Sequence, residues 1–300
     1  MRRTPLALVV LAAVTLVACG GDDDDADTAD TADTTAPSAT SAASDETVPE
    51  VSLEPATTVP KPEVQIPTQT PTELVVTELQ PGEGPEAANG DTVVVDYIGV
   101  RSEDGTEFDS SYGATPISVT LGAGGVIDGW EQGLVGAQAG QQLQLDIPSE
   151  LAYGDQPQGE IIQAGDALTF VIDVRAVLPP ADPADEPTAE DIPRSTEIAT
   201  EPSVEDLVEG DGATLELGQT AAFQLVAARA DDGTVLESTW TSGAPQIFTV
   251  EEGALLPGLI ETLPGMKVGG RRAVTLPPIP EMGLTPETNI VIVADLLAVF

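Results

Sequence analysis

Two Trp, three Tyr, five Phe, one Cys and no His are the side chains that bound the chemistry of this 300-residue chain. Without imidazole there is no Ser-His or Cys-His nucleophile and no histidine general base, and most zinc and iron sites lose their usual ligand. What remains is a thiol, a few rings and hydroxyls, and many carboxylates. Asp and Glu number 51 against 10 Lys and Arg, a formal charge of −41. Such a chain repels a phosphate backbone, and no Lys/Arg cluster offers a local exception, so nucleic-acid binding is excluded. The run Asp22 to Asp25 could attract divalent cations weakly, but no Gly turn or ligand spacing accompanies it, and it reads as solvated spacer. Neither a metal site nor a cofactor is expected.

The thiol has a readable setting. The chain starts Met1-Arg2-Arg3, and an apolar run follows from Pro5 to Ala18. That run is too short to span a bilayer but suits a signal-peptide core behind a positive n-region. It ends Leu16-Val17-Ala18-Cys19, which resembles the bacterial lipobox, where the thiol is diacylglycerylated and the chain is cut just before it. Residues 1–18 are therefore expected to be a lipoprotein signal peptide, with Cys19 as the lipidated residue. Two acyl chains hold a protein on a membrane durably where one would not. The expected location is the extracytoplasmic face of the cell membrane. No second cysteine exists for a disulfide, so stability must come from packing.

Three hundred residues suit two domains of ordinary size, and the composition shows where they lie. Residues 19–71 are Asp, Thr, Ala, Ser and Pro with Lys61 as the only base, a composition that predicts a disordered acidic tether. Flexible chain of that length reaches roughly 40 Å. A second Pro/acid-rich stretch, residues 180–202, is a linker between two segments, 72–179 and 203–300, and these look related. Asp104-Gly105-Thr106-Glu107-Phe108-Asp109-Ser110-Ser111 matches Asp232-Gly233-Thr234-Val235-Leu236-Glu237-Ser238-Thr239, and Val126-Ile127-Asp128-Gly129-Trp130 matches Leu255-Leu256-Pro257-Gly258-Leu259. The chain carries a duplicated domain.

Within one copy, period-2 alternation dominates. In Gln142-Leu143-Gln144-Leu145-Asp146-Ile147 every second residue is apolar, the pattern of a half-buried strand. Leu168, Phe170, Ile172 and Val174 likewise share one strand face, and the β-branched run Thr92 to Val100 reads as another strand. Ile127, Trp130 and Leu134 fall at helical spacing and predict a helix of about two turns. The expected fold class is α+β: an antiparallel sheet wrapped on one short helix, duplicated.

The first copy resembles the FKBP-type peptidyl-prolyl cis-trans isomerases over about Glu73 to Leu178. The residues carrying this are Val95-Asp96-Tyr97-Ile98-Gly99, Gly105-Thr106-Glu107-Phe108-Asp109-Ser110-Ser111, Val126-Ile127-Asp128-Gly129-Trp130-Glu131-Gln132-Gly133-Leu134, Ala152-Tyr153-Gly154 and Leu168-Thr169-Phe170. The resemblance implies a prolyl pocket lined by Tyr97, Phe108, Asp109, Val126, Ile127, Trp130, Tyr153, Ile161 and Phe170. In it Trp130 would floor the proline ring, with Phe108, Val126 and Phe170 as walls. The Ile127 N–H and the Tyr153 hydroxyl would hold substrate carbonyls, and Asp109 would face the rotating amide with Tyr97 beside it. It also implies proline-containing polypeptides as partners and a macrolide as a possible ligand. For any one of these rings, filling a core is the default role. Against that default, the Tyr97 and Tyr153 hydroxyls need partners if buried, and Trp130 opens a helix.

The first copy departs from the family pattern in places. The loop Tyr112 to Thr115 is short and lacks the arginine that commonly pairs with the pocket aspartate, which would leave Asp109 unpaired. Ile117 stands where an aromatic is usual, and Gln158 where a histidine often sits. In the second copy Tyr97 aligns with Leu225, Phe108 with Leu236, Asp109 with Glu237, Trp130 with Leu259, Tyr153 with Met282 and Phe170 with Ile292. That copy is expected to be degenerate and inactive, a scaffold or client-holding surface, with Trp240 and Phe248 serving core or interface. The expected function is an isomerase assisting folding of secreted or envelope proteins. A non-catalytic peptide-binding chaperone is the rival, and a solute-binding lipoprotein would need βα alternation that the chain lacks.

Overall fold

The computed structural model describes residues 60–251, 255–256, 258–282, 284 and 287–300. The signal segment, Cys19 and the tether up to residue 59 lie outside the described residues, so the structure bears on none of them.

Six strands form the first sheet: β1 (Val75–Gln80), β2 (Thr92–Arg101), β3 (Glu107–Ser110), β4 (Ile117–Thr120), β5 (Gln142–Ile147) and β6 (Leu168–Leu178). Every pairing is antiparallel, in the order β1-β5-β6-β2-β3, with β4 also on β2. The alternation expected for Gln142–Ile147 and Leu168–Leu178 is realised, because Leu143, Leu145 and Ile147 face the same core as Leu168, Phe170, Ile172 and Val174. The helix expected around Trp130 is α1 (Asp128–Gly133). It lies so close to β5 that a Cβ at Gly129 would fall 2.4 Å from Cγ2 of Ile147. Only glycine permits that approach.

The second sheet repeats the first: β7 (Ser203–Val208), β8 (Thr220–Arg229), β9 (Val235–Ser238), β10 (Gln246–Thr249), β11 (Arg271–Leu276) and β12 (Ile290–Val299). Its order is β10-β8-β12-β11-β7, with β9 also on β8. Register confirms the equivalence residue by residue. Gly99 pairs Phe170 in the first sheet, and Ala227 pairs Ile292 in the second. Two helical turns, α2 (Thr239–Ser242) and α3 (Leu259–Thr262), accompany it. The sequence reading anticipated only the second of these.

The expected tether is not structureless to its end. Lys61 Nζ donates to Glu107 Oε1 at 2.5 Å, Gln144 Nε2 donates to the Gln65 carbonyl at 2.8 Å, and Val64 packs on Ile98, Val100 and Val171. Residues 60–66 thus form a strap across the outer face of the first sheet. Composition hides this, because one apolar side chain, one ion pair and one amide pair suffice to seat an extended strap against a partly apolar face. The Pro/acid linker does the same for the second sheet. Ile192 is 4% exposed within a cluster of Val226, Ala228, Val291 and Val293, and Ser195 N–H donates to the Ala230 carbonyl at 2.9 Å.

Candidate active site

Four rings meet on the inner face of the first sheet, supplied by three strands and the helix. Tyr97 (β2) and Phe170 (β6) each stand edge-on or tilted to Trp130 (α1) and to one another. The ring centroids are 5.2 Å apart for Tyr97–Trp130, 5.2 Å for Trp130–Phe170 and 6.3 Å for Tyr97–Phe170. Phe108 (β3) meets Phe170 edge-on at 5.6 Å. Such geometry aligns the positive edge of one ring with the negative face of the next. Trp130 and Phe170 are 3% and 4% exposed and lie deepest, while Tyr153 and Ile161 are 36% and 38% exposed. Val126 and Ile127 are half-buried against the same core. Of the residues that the resemblance implied, Tyr97, Phe108, Val126, Ile127, Trp130 and Phe170 share one core, and Asp109 is bonded to Tyr97.

Gly99 makes this gathering possible, and sequence reading had no role for it. A Cβ there would lie 2.6 Å from Cζ of Phe108 and 2.7 Å from Cε1 of Phe170. Tyr97 and Gly99 share a strand face, so the missing side chain at Gly99 is the space the two phenyl rings occupy. Glu131, part of the motif around Trp130, has a structural role that the motif does not show. Its carboxylate accepts from Gly122 N–H at 2.6 Å and Gly124 N–H at 2.8 Å, tying the loop before Val126 onto α1.

The polar groups differ from expectation in one respect. Asp109 is not unpaired: the Tyr97 hydroxyl donates to Oδ2, and Ser110 N–H donates to Oδ1 at 2.9 Å. Burial first, then the Asp109 bond and charge, push the Tyr97 phenol well above its ordinary range, so it stays protonated and remains a donor. Burial and the Asp109 charge raise Tyr153 likewise. Ile127 precedes α1 in extended conformation (φ −61°, ψ 149°), and its carbonyl accepts from Trp130 N–H at 2.9 Å. Its own N–H meets no acceptor among the described residues. The buried Trp130 Nε1 also lacks a partner among the described residues.

Ile117 pairs Val95 and packs into the core, and Gln158 closes a small loop by bridging Ile162. Tyr112 faces the other way, donating to Asp173 on the outer face. In the second domain the same positions hold Leu225, Leu236, Glu237, Leu259, Met282 and Ile292, all within or against its core except Glu237. Phe248 is core there, stacked on Phe223 at 4.9 Å, whereas Trp240 covers the outer face. No cluster of residues able to hold a metal ion occurs among the described residues.

Comparison with known proteins agrees with this architecture. A sequence model of the FKBP-type peptidyl-prolyl cis-trans isomerase family matches residues 84–175 and again 212–290. An FK506-binding protein of Streptomyces anulatus is 44% identical over 122 residues, 40% of this chain and 98% of that protein. Peptidyl-prolyl cis-trans isomerase FKBP10 of Bos taurus is 34% identical over 207 residues, covering 69% of this chain and 33% of that protein. Among solved structures, FkpA from Escherichia coli is 38% identical over 39% of this chain and 52% of that chain, with a TM-score of 0.33.

Proposed function

The chain belongs to the FKBP-type peptidyl-prolyl cis-trans isomerase family, and we propose that its first domain carries the catalysis, on proline-containing secreted or envelope polypeptides at the outer face of the membrane. One observation carries the assignment to the first domain. Among the described residues, only there do four packed rings, a Tyr–Asp pair and an unengaged backbone N–H converge.

The mechanism follows from those groups. Rotation about an X-Pro bond gives up amide resonance, across a barrier of about 20 kcal/mol. Uncatalysed, it takes tens to hundreds of seconds. The planar amide has a larger dipole than the twisted one, so a dry, ring-lined site disfavours the ground state relative to the transition state. Trp130 holds the proline ring face, with Phe108, Val126 and Phe170 as walls and Ile161 at the rim. The Ile127 N–H and the Tyr153 hydroxyl hold carbonyls of the substrate, fixing the chain while the amide turns. Asp109, oriented by Tyr97, faces that amide. No proton leaves or enters, so a chain without histidine is at no disadvantage.

The test is an exchange or protease-coupled assay of an Ala-Pro peptide with the full chain. Catalysis that survives in Trp130→Ala with unchanged kcat/KM would remove the first pocket from the reaction. A macrolide should bind once per chain by calorimetry, because the second copy lacks the rings. Two equivalent sites would contradict this reading.

Anchoring is part of the same proposal and rests on Met1-Arg2-Arg3, the apolar run to Ala18 and the box Leu16-Val17-Ala18-Cys19. Cys19→Ala protein should move from the membrane fraction to the soluble one with its folding unchanged. Continued membrane partition would refute the lipid anchor.

A further inference from the structure

Where the first domain has its ring-lined site, the second keeps a cleft with a different wall. Leu225, Ala227, Leu259 and Ile292 give the apolar lining of a small cleft, with Glu237, Thr239 and Gln246 along its polar side. Branched aliphatic side chains in place of rings remove the flat surface suited to a proline ring. Oε2 of Glu237 is buried and has no hydrogen-bond partner among the described residues. Its counterpart Asp109 accepts from the Tyr97 hydroxyl, but Leu225, at the Tyr97 position, has nothing to donate. Burial accordingly raises the Glu237 pKa above its ordinary value.

A buried acceptor without a donor is costly, and a ligand that brings a donor recovers the loss. The lining restricts which donor fits. An ammonium would have to be desolvated among four aliphatic residues, whereas an amide N–H next to a branched side chain satisfies both the oxygen and the wall. A peptide supplies that combination at each Leu, Ile or Val, and not at proline, which has no N–H.

We propose that this cleft binds a non-prolyl aliphatic residue of an extended polypeptide, with the residue's backbone N–H donated to Glu237 Oε2. The two domains then read different residues of a client, proline in the first and Leu, Ile or Val in the second. The inference rests on the proposed function only in taking both pockets to bind polypeptide.

The experiment is a methyl-NMR titration of the full chain with acetyl-Ala-Leu-Ala-amide. Methyl groups of Leu225, Leu259 and Ile292 should shift. Acetyl-Ala-Pro-Ala-amide and the N-methyl-leucine analogue should bind there about tenfold more weakly, the effect of one lost hydrogen bond. In Glu237→Leu that gap should close. Absent shifts at these three residues overturn the proposal, and so does equal affinity of the leucine and N-methyl-leucine peptides for the native chain. Stronger binding of isobutylammonium than of the leucine peptide also overturns it, by making the site a cation site. If Glu237→Leu does not fold, the comparison on the native chain decides alone. Val126 and Ile127 methyls and the exchange rate of an Ala-Pro peptide report the first pocket separately, so failure of the isomerase reading is recognisable in the same tube.

Discussion

At Gly99 the first domain leaves an empty Cβ position that two phenyl rings fill, and at the equivalent Ala227 the second domain has a methyl group facing Leu236 and Ile292. The strands carrying these residues pair in the same register, so the backbone is held constant while the lining changes. The polar groups change with it. Asp109 lies beside a phenol that donates to it, while Glu237 lies beside Leu225 and keeps a buried oxygen without a donor among the described residues. The sheet and helix are thus a support that tolerates either lining. On the proposed function, the capacity to handle a prolyl amide resides in some six side chains and one missing Cβ, in keeping with the general separation of fold from function.

The comparison can be broken most sharply at the floor. Trp130→Ala makes the first pocket resemble the second, and kcat/KM should fall roughly 100-fold, about 2.7 kcal/mol of transition-state binding. Circular dichroism must show the variant folded before rates are compared. Gly99→Ala tests the missing side chain. The added methyl overlaps Phe108 and Phe170, so the first domain should lose about 1–3 kcal/mol in denaturant unfolding. Ala227→Gly in the second domain, where no ring needs the space, should cost about 0.5–1 kcal/mol through backbone entropy. Equal costs would mean that Gly99 has no special packing role.

Asp109→Asn should slow exchange of an Ala-Pro peptide about tenfold, less than the loss of the floor, because it leaves the apolar cage and one acceptor oxygen in place. If folded Asp109→Asn proves slower than Trp130→Ala, electrostatics at the amide outrank desolvation. The smallest effect expected is the pH dependence that Glu237 gives the second domain. The folded-state pKa of Glu237 is raised by burial. Its protonation therefore adds stability below the unfolded carboxylate value, and that increment is lost as pH rises through the folded value. Amide exchange protection in β8 and β12 should decline over this window and flatten in Glu237→Leu. Asp96, whose carboxyl burial also raises, lies in the first sheet. Reading exchange strand by strand keeps the two carboxylates apart.

Alternation made the strands legible, since Leu143, Leu145 and Ile147 could face a common core only as a strand. The spacing of Ile127, Trp130 and Leu134 marked α1, and the identities of Tyr97, Phe108, Trp130, Tyr153 and Phe170 marked the pocket. The degeneracy of the second lining was readable from the same alignment. Each of these is a property of residue type along the chain. What the chain order could not show are contacts whose partners meet only after the strands pair. The Tyr97–Asp109 bond depends on β2 and β3 aligning with their bulge beside Gly99. The strap at Val64 needs an outer face that exists only once β2 and β6 lie side by side. The unpartnered oxygen of Glu237 is the same case, because a carboxylate is written into the sequence while the absence of a donor around it is decided by packing.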